Sequence, residues 1–169
     1  MRIVALGLML VLSLPAAAAT APDADLSVET PLPAEMPSAE PGVADLFHSF
    51  DLFGTFAPDC SRPAAPTNPY VNVSQQVGGL VIEAHNVGRE YAANFYSVRS
   101  ARRLGNHRLE IKVVFVPGTQ AEEFQTLELL VGKGTRRTIL NRVDGGPVRV
   151  RRGVAIANGS KTPLLKKCD

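Results

Sequence analysis

The chain has 169 residues, 45% of them hydrophobic and 20% charged, with no tryptophan and a formal charge of only +2. That length suits a single core, and the lack of a long apolar run after the first residues excludes a helical membrane protein. The small net charge hides a division: residues 20–59 hold eight acids and no Lys or Arg, whereas from residue 60 onward 17 basic residues face eight acidic ones.

Residues 1–19 read as a secretory signal. Arg2 supplies the positive end, residues 3–14 the apolar run, and Ala17, Ala18 and Ala19 the small residues of a cleavage site before Thr20. The run is too short to span a bilayer, and Pro15 follows it. The protein is therefore expected to be exported, to a periplasm or to the medium, where disulfides persist. Residues 20–44 carry Pro22, Pro31, Pro33, Pro37 and Pro41 and few large apolar groups. Such a segment cannot bury enough surface to offset its ordering entropy, and reads as an acidic, solubilising leader without fixed structure. The folded domain is expected over residues 45–169.

Within residues 45–53 the apolar positions Leu46, Phe47, Phe50 and Phe53 fit one helical face, with Asp45 placed to cap the start. This predicts one or two helical turns plugging an end of the fold, with His48 solvated on the opposite side. Residues 54–57 begin a strand. Pro58, Pro63, Pro66 and Pro69 then prevent continuous pairing and predict an ordered surface loop pinned by Cys60. Asn68-Pro69 marks a turn before the next strand. The only other cysteine is Cys168. A Cys60–Cys168 bond would close a loop of about 100 residues, for which chain entropy allows up to ~4–5 kcal/mol. The alternative is two free thiols, although neither has a CxxC partner or a neighbouring histidine.

Strand signals continue over residues 70–76, 80–85, 90–99, 108–116, 123–131, 135–143, 148–150, 154–157 and 164–168, with residues 102–107 reading as a loop. In 80–85, Leu80, Ile82 and Ala84 form the more apolar face, which puts Glu83 and His85 on an outward one. The clearest strand places Leu109, Ile111, Val113 and Phe115 on a single face, so its register is well specified. Turn signals every eight to twelve residues, with no ordinary helix, predict an all-β fold: a small antiparallel barrel of about eight strands, with a β-sandwich as the alternative. The barrel is preferred because bonded chain ends fit a sheet whose edges meet.

Few constellations promise chemistry. His48, His85 and His107 lack metal-ligand spacing, and no metal or cofactor is expected. No Gly-x-Ser-x-Gly occurs, and Gly132-Lys133-Gly134-Thr135 lacks the spacing of a phosphate loop and reads as a hairpin turn. Glu83 and His85 are the one acid–base pair in reach of each other, and no catalytic set surrounds them in the sequence. Arg136, Arg137, Arg142, Arg149, Arg151 and Arg152 fall on consecutive strands and could gather into an outer basic face for an anionic envelope component or an acidic protein. Without interleaved aromatics, nucleic acid is not expected.

Two resemblances bear on this reading. Gly54-Thr55-Phe56 after a short helical turn resembles the opening of a lipocalin, with Phe56 where that family carries tryptophan. Those residues, with Asp59-Cys60, Asn68-Pro69 and Thr162-Pro163 running to Cys168, are also similar to a group of small exported bacterial proteins. The likeness covers both ends of the domain and little of its middle. It implies a lipocalin-like fold and export, and brings no activity with it. Together these readings lead to an expected non-enzymatic barrel that binds a small apolar ligand inside, against Phe56, Leu109, Ile111, Val113 and Phe115. The alternative is an interaction module that works through the basic outer face.

Overall fold

The computed structural model describes residues 41–168. The expected signal and most of the leader lie outside the described residues. The first element among the described residues is α1 (Val43–Ser49), which begins two residues before the expected start of the domain. Gly42, not Asp45, is the N-cap. Asp45 sits at the third helical position and reaches back to accept the Gly42 N–H at 3.1 Å, where a carboxylate also meets the positive end of the helix.

Ten strands follow: β1 (Gly54–Ala57), β2 (Tyr70–Gln75), β3 (Val81–Asn86), β4 (Asn94–Gly105), β5 (Arg108–Phe115), β6 (Glu123–Gly132), β7 (Thr135–Val143), β8 (Val148–Arg151), β9 (Val154–Ala155) and β10 (Leu165–Cys168). Residues 102–105, read as loop from the sequence, continue β4 instead. They pair with β5 through Arg102–Glu110 and Arg103–Leu109, so pairing overrides weak local propensity.

Every pairing is antiparallel. β1 to β7 succeed one another, and β10 closes the ring by pairing with both β7 and β1, giving an eight-stranded closed barrel. Closure removes the free edges that an open sheet would present. β7 forks: its first residues pair with β10, and Leu140, Asn141 and Arg142 pair with β8. β8 and β9 thus form a side arm outside the ring. Cys60 and Cys168 are bonded, so the loop after β1 is tied to the last strand as one of the two sequence readings expected.

The loop between β1 and β2 is organised by Asn68, which is buried. Its Oδ1 accepts the Asp59 N–H at 3.0 Å, and its amide shares two N–H groups among the carbonyls of Asp59, Arg62 and Pro63 at 3.0–3.1 Å. Four prolines leave this loop short of backbone donors, and one satisfied side chain replaces the missing ladder.

Leu46, Phe47, Phe50 and Leu52 close one end of the barrel and join a single apolar cluster with Val98, Leu109, Ile111, Leu129 and Val131. Arg103 of β4 fastens the helix there. Its guanidinium lies 4.2 Å from the Phe50 ring centre and donates to Ser49 Oγ at 2.8 Å. The predicted plug is therefore present, and His48 is exposed as expected.

Candidate functional site

The lumen is filled from both walls. Leu109, Ile111 and Val113, three of the inward ligand candidates, are at most 1% exposed and belong to the packed cluster under α1. Phe56 is equally buried. Arg136 lies over its ring at 5.7 Å, with Lys167 Nζ at 6.0 Å. Phe115 stands nearer the other end, its ring 5.0 Å from that of Tyr96, which in turn meets His85 at 4.6 Å.

Between these apolar layers runs a charged bridge that the sequence reading placed elsewhere. Val81, Glu83 and His85 point inward, not outward, and Glu83 is 1% exposed. Arg136, assigned to the outer basic face, is 2% exposed inside the barrel. The two meet through Nη2 and Oε2 at 3.0 Å; a second contact, Nη1 to Oε1 at 2.8 Å, is close but lies off hydrogen-bond alignment. β3 and β7 stand four strands apart in a ring of eight, on opposite walls, so this pair crosses the lumen. His85 Nε2 lies 3.3 Å from Glu83 Oε2. Burial opposes ionisation of Glu83, but Arg136 and His85 outweigh it and hold the carboxyl down at about 2. The group is thus held as a carboxylate, with Oε2 accepting from Arg136 and facing His85. Glu83, His85 and Tyr96 thus converge at one level of the lumen.

A second polar chain lines the end away from α1. Asn141 donates to Gln125 Oε1 at 3.0 Å, and Gln125 donates to Glu123 Oε1 at 2.7 Å. Glu123 faces Arg149 through both of its oxygens at 2.8 Å. Asn141 reaches the inside because of an irregularity in β7: Glu128 opposes Leu140 while Leu129 opposes Thr138, so Ile139 is an extra residue and the alternation changes phase. Arg136 before the bulge and Asn141 after it both face inward, whereas Arg142 faces out. Tyr96 lies close to these groups. Burial raises its phenol to about 12, and the carboxylates of Glu83 and Glu123 push the same way.

The six arginines do not form one face. Arg136 is buried against Glu83, and Arg149 pairs with Glu123. Arg137 donates to Thr162 Oγ1 at 3.1 Å and to the Gly153 carbonyl at 3.5 Å. Arg142, Arg151 and Arg152 are exposed and have no hydrogen-bond or ion-pair partner among the described residues. Also among the described residues, no three metal-ligating side chains converge.

The feature missed by the sequence reading lies outside. A groove of about 690 Å³ runs over the outer wall, lined by Leu80, Ile82, Ala84, Phe95, Val116 and Pro117 together with Ser74, Gln76, Ala93 and Thr119. None of these residues is ionisable. Leu80 and Phe95 are 38% and 48% exposed, large values for such side chains side by side. One wall is the loop after β5, and its shape is imposed. Val116 has φ of 39°, a left-handed conformation that β-branched residues avoid. It is held there by its N–H to the Phe95 carbonyl at 2.8 Å and by the Thr119 hydroxyl donating to its own carbonyl at 2.8 Å. Gly118 N–H donates to Glu122 Oε2 at 2.7 Å and closes the turn. The outward alternation of Leu80, Ile82 and Ala84 was the available signal, and it had been assigned to the core.

Searches against protein-family models, curated proteins and solved structures return no match for this chain.

Proposed function

We propose that this protein is an exported, non-enzymatic binding barrel that takes a small apolar ligand in the groove of its outer wall. One observation carries the reading: a concave, uncharged surface of ligand size, built on a rigid closed sheet, with mostly apolar lining and a few polar groups. The strained Val116 supports it, because backbone strain of this kind concentrates where a surface must hold a set shape. The lumen is the weaker location, since the Glu83–Arg136 bridge and the apolar cluster already occupy it. Export is supported by the signal-like first 19 residues and by the Cys60–Cys168 bond, which persists in oxidising compartments.

Nile red, a neutral dye that brightens in apolar surroundings, tests the site. The wild-type protein is expected to bind it, and Phe95→Glu to lose that binding while melting like wild type. Undiminished dye binding by Phe95→Glu would remove the groove from consideration. A second reading keeps the anionic partner but confines it to Arg142, Arg151 and Arg152, the three of the six candidate arginines that are exposed without a partner among the described residues. Retention on an anionic matrix that survives their joint change to Gln counts against it.

A further inference from the structure

The groove is uniform in charge but not in polarity: Ser74 and Gln76 sit at one end and Thr119 at the other. Its floor is Leu80, Ile82 and Ala84, successive outward positions that span roughly 13 Å at the rise of a strand. At the β2–β3 turn, Gln76 Nε2 donates to Ser74 Oγ at 2.9 Å. That leaves the Gln76 Oε1 acceptor, the second Gln76 Nε2 proton and the Ser74 hydroxyl proton with no protein partner among the described residues. At the opposite end the Thr119 hydroxyl is committed to the Val116 carbonyl, so it offers no donor. Side-chain donors are thus available to a ligand beside Leu80 and not beside Pro117.

The geometry points to an uncharged, medium-length apolar chain headed by one hydroxyl or amide group, with the chain over Leu80, Ile82 and Ala84 and the head at Gln76. This rests on the groove being the binding site. A hydroxyl or amide head can donate to Gln76 Oε1 and accept from Ser74. A carboxylate head can accept from Ser74 and Gln76 but leaves the Gln76 Oε1 acceptor unused, and it finds no cation in the lining to offset its charge. One effect opposes this choice. From residue 60 onward basic residues outnumber acidic ones by 17 to eight, and that field attracts anions from a distance. Long-range attraction is screened within a few ångströms in concentrated salt, whereas the hydrogen bond at Gln76 is not.

The test is displacement of Nile red by decanol and by decanoate, in several hundred millimolar salt and at mildly alkaline pH, with wild-type protein and with Gln76→Ala. Decanol is expected to displace the dye at a concentration at least about tenfold below that of decanoate. Any apolar surface favours the neutral compound to some degree, so the variant carries the discrimination. Gln76 is exposed at a turn, and Gln76→Ala is expected to melt like wild type; with the dye affinity of each protein measured first, the inhibition constant of decanol is expected to weaken severalfold and that of decanoate to change less. Equal displacement by decanoate overturns the inference, as does decanol binding that is indifferent to Gln76→Ala. Dye binding that is absent, or insensitive to Phe95→Glu, overturns the groove itself and is told apart by needing no competitor.

Discussion

Along β3 two sets of side chains run back to back with opposite fates. Val81, Glu83 and His85 face the lumen, and Ile82 and Ala84, continuing from Leu80, face outward. The inner set carries the charges, with Val81 and Glu83 sealed and His85 partly exposed; the outer set is apolar and open. In a barrel this small the lumen is little wider than two facing side chains, so Glu83 and Arg136 meet across it and leave no passage to the apolar layer beneath. The outer wall faces no such limit, and a folded-back loop can make it concave. The barrel shape alone therefore does not say which side of the sheet does the binding.

The sharpest way to break this comparison is to remove half of the bridge. Arg136→Met leaves the Glu83 carboxylate buried without its main partner, and a loss of ~3–5 kcal/mol is expected in urea unfolding. The pair Glu83→Leu with Arg136→Met should recover most of that loss, since the cost lies in the stranded charge. An Arg136→Met protein that unfolds at the wild-type midpoint would show that the lumen is not held by this contact.

Acid should act on the same bridge. Glu83 is depressed from an ordinary 4.5 to about 2, so its contribution is complete above pH 4.5 and is lost as pH falls toward 2. That depression corresponds to at most ~3 kcal/mol. Urea midpoints across this window should fall for the wild-type protein and fall less for Glu83→Gln. Parallel curves would place the acid sensitivity elsewhere.

Base should act on the neighbouring ring. Tyr96 is raised to about 12, so its neutral phenol contributes fully below about pH 10, and that contribution fades as pH climbs from 10 to 12. The effect is expected to be at most ~3 kcal/mol. Tyr96→Phe keeps the rings of His85 and Phe115 in contact and should flatten the alkaline fall. A fall of undiminished size in Tyr96→Phe would show that this phenol is not its source.

Much of the fold was legible because its signals are local or come in pairs. Leu109, Ile111 and Val113 alternate cleanly, Leu46, Phe47 and Phe50 share a helical face, and two lone cysteines in a chain with a signal-like start had one obvious use for each other. The site was less legible for a physical reason. Alternation says that two faces differ, not which one is inside, and on β3 the inner face carries Glu83 because Arg136 arrives from the opposite wall, 53 residues later. The arginine face failed similarly: adjacent residues such as Arg136 and Arg137 cannot share one side of a strand, and the extra residue at Ile139 reverses the sides again before Arg142. Nothing in the composition of residues 116–122 announces a loop that folds back as a groove wall.

That loop offers the smallest effect and the finest test of the outer wall. Val116 holds a left-handed backbone that asparagine tolerates far better. If the strain serves the groove, Val116→Asn should stabilise the protein by about 0.5–1 kcal/mol in thermal or urea unfolding while weakening Nile red binding, since an apolar wall residue is exchanged for a polar one. Stability and binding would then move in opposite directions from a single change remote from the lumen. A variant that gains stability and keeps its dye affinity would show that the valine side chain is no part of the binding surface, and would leave its strained backbone without a purpose there.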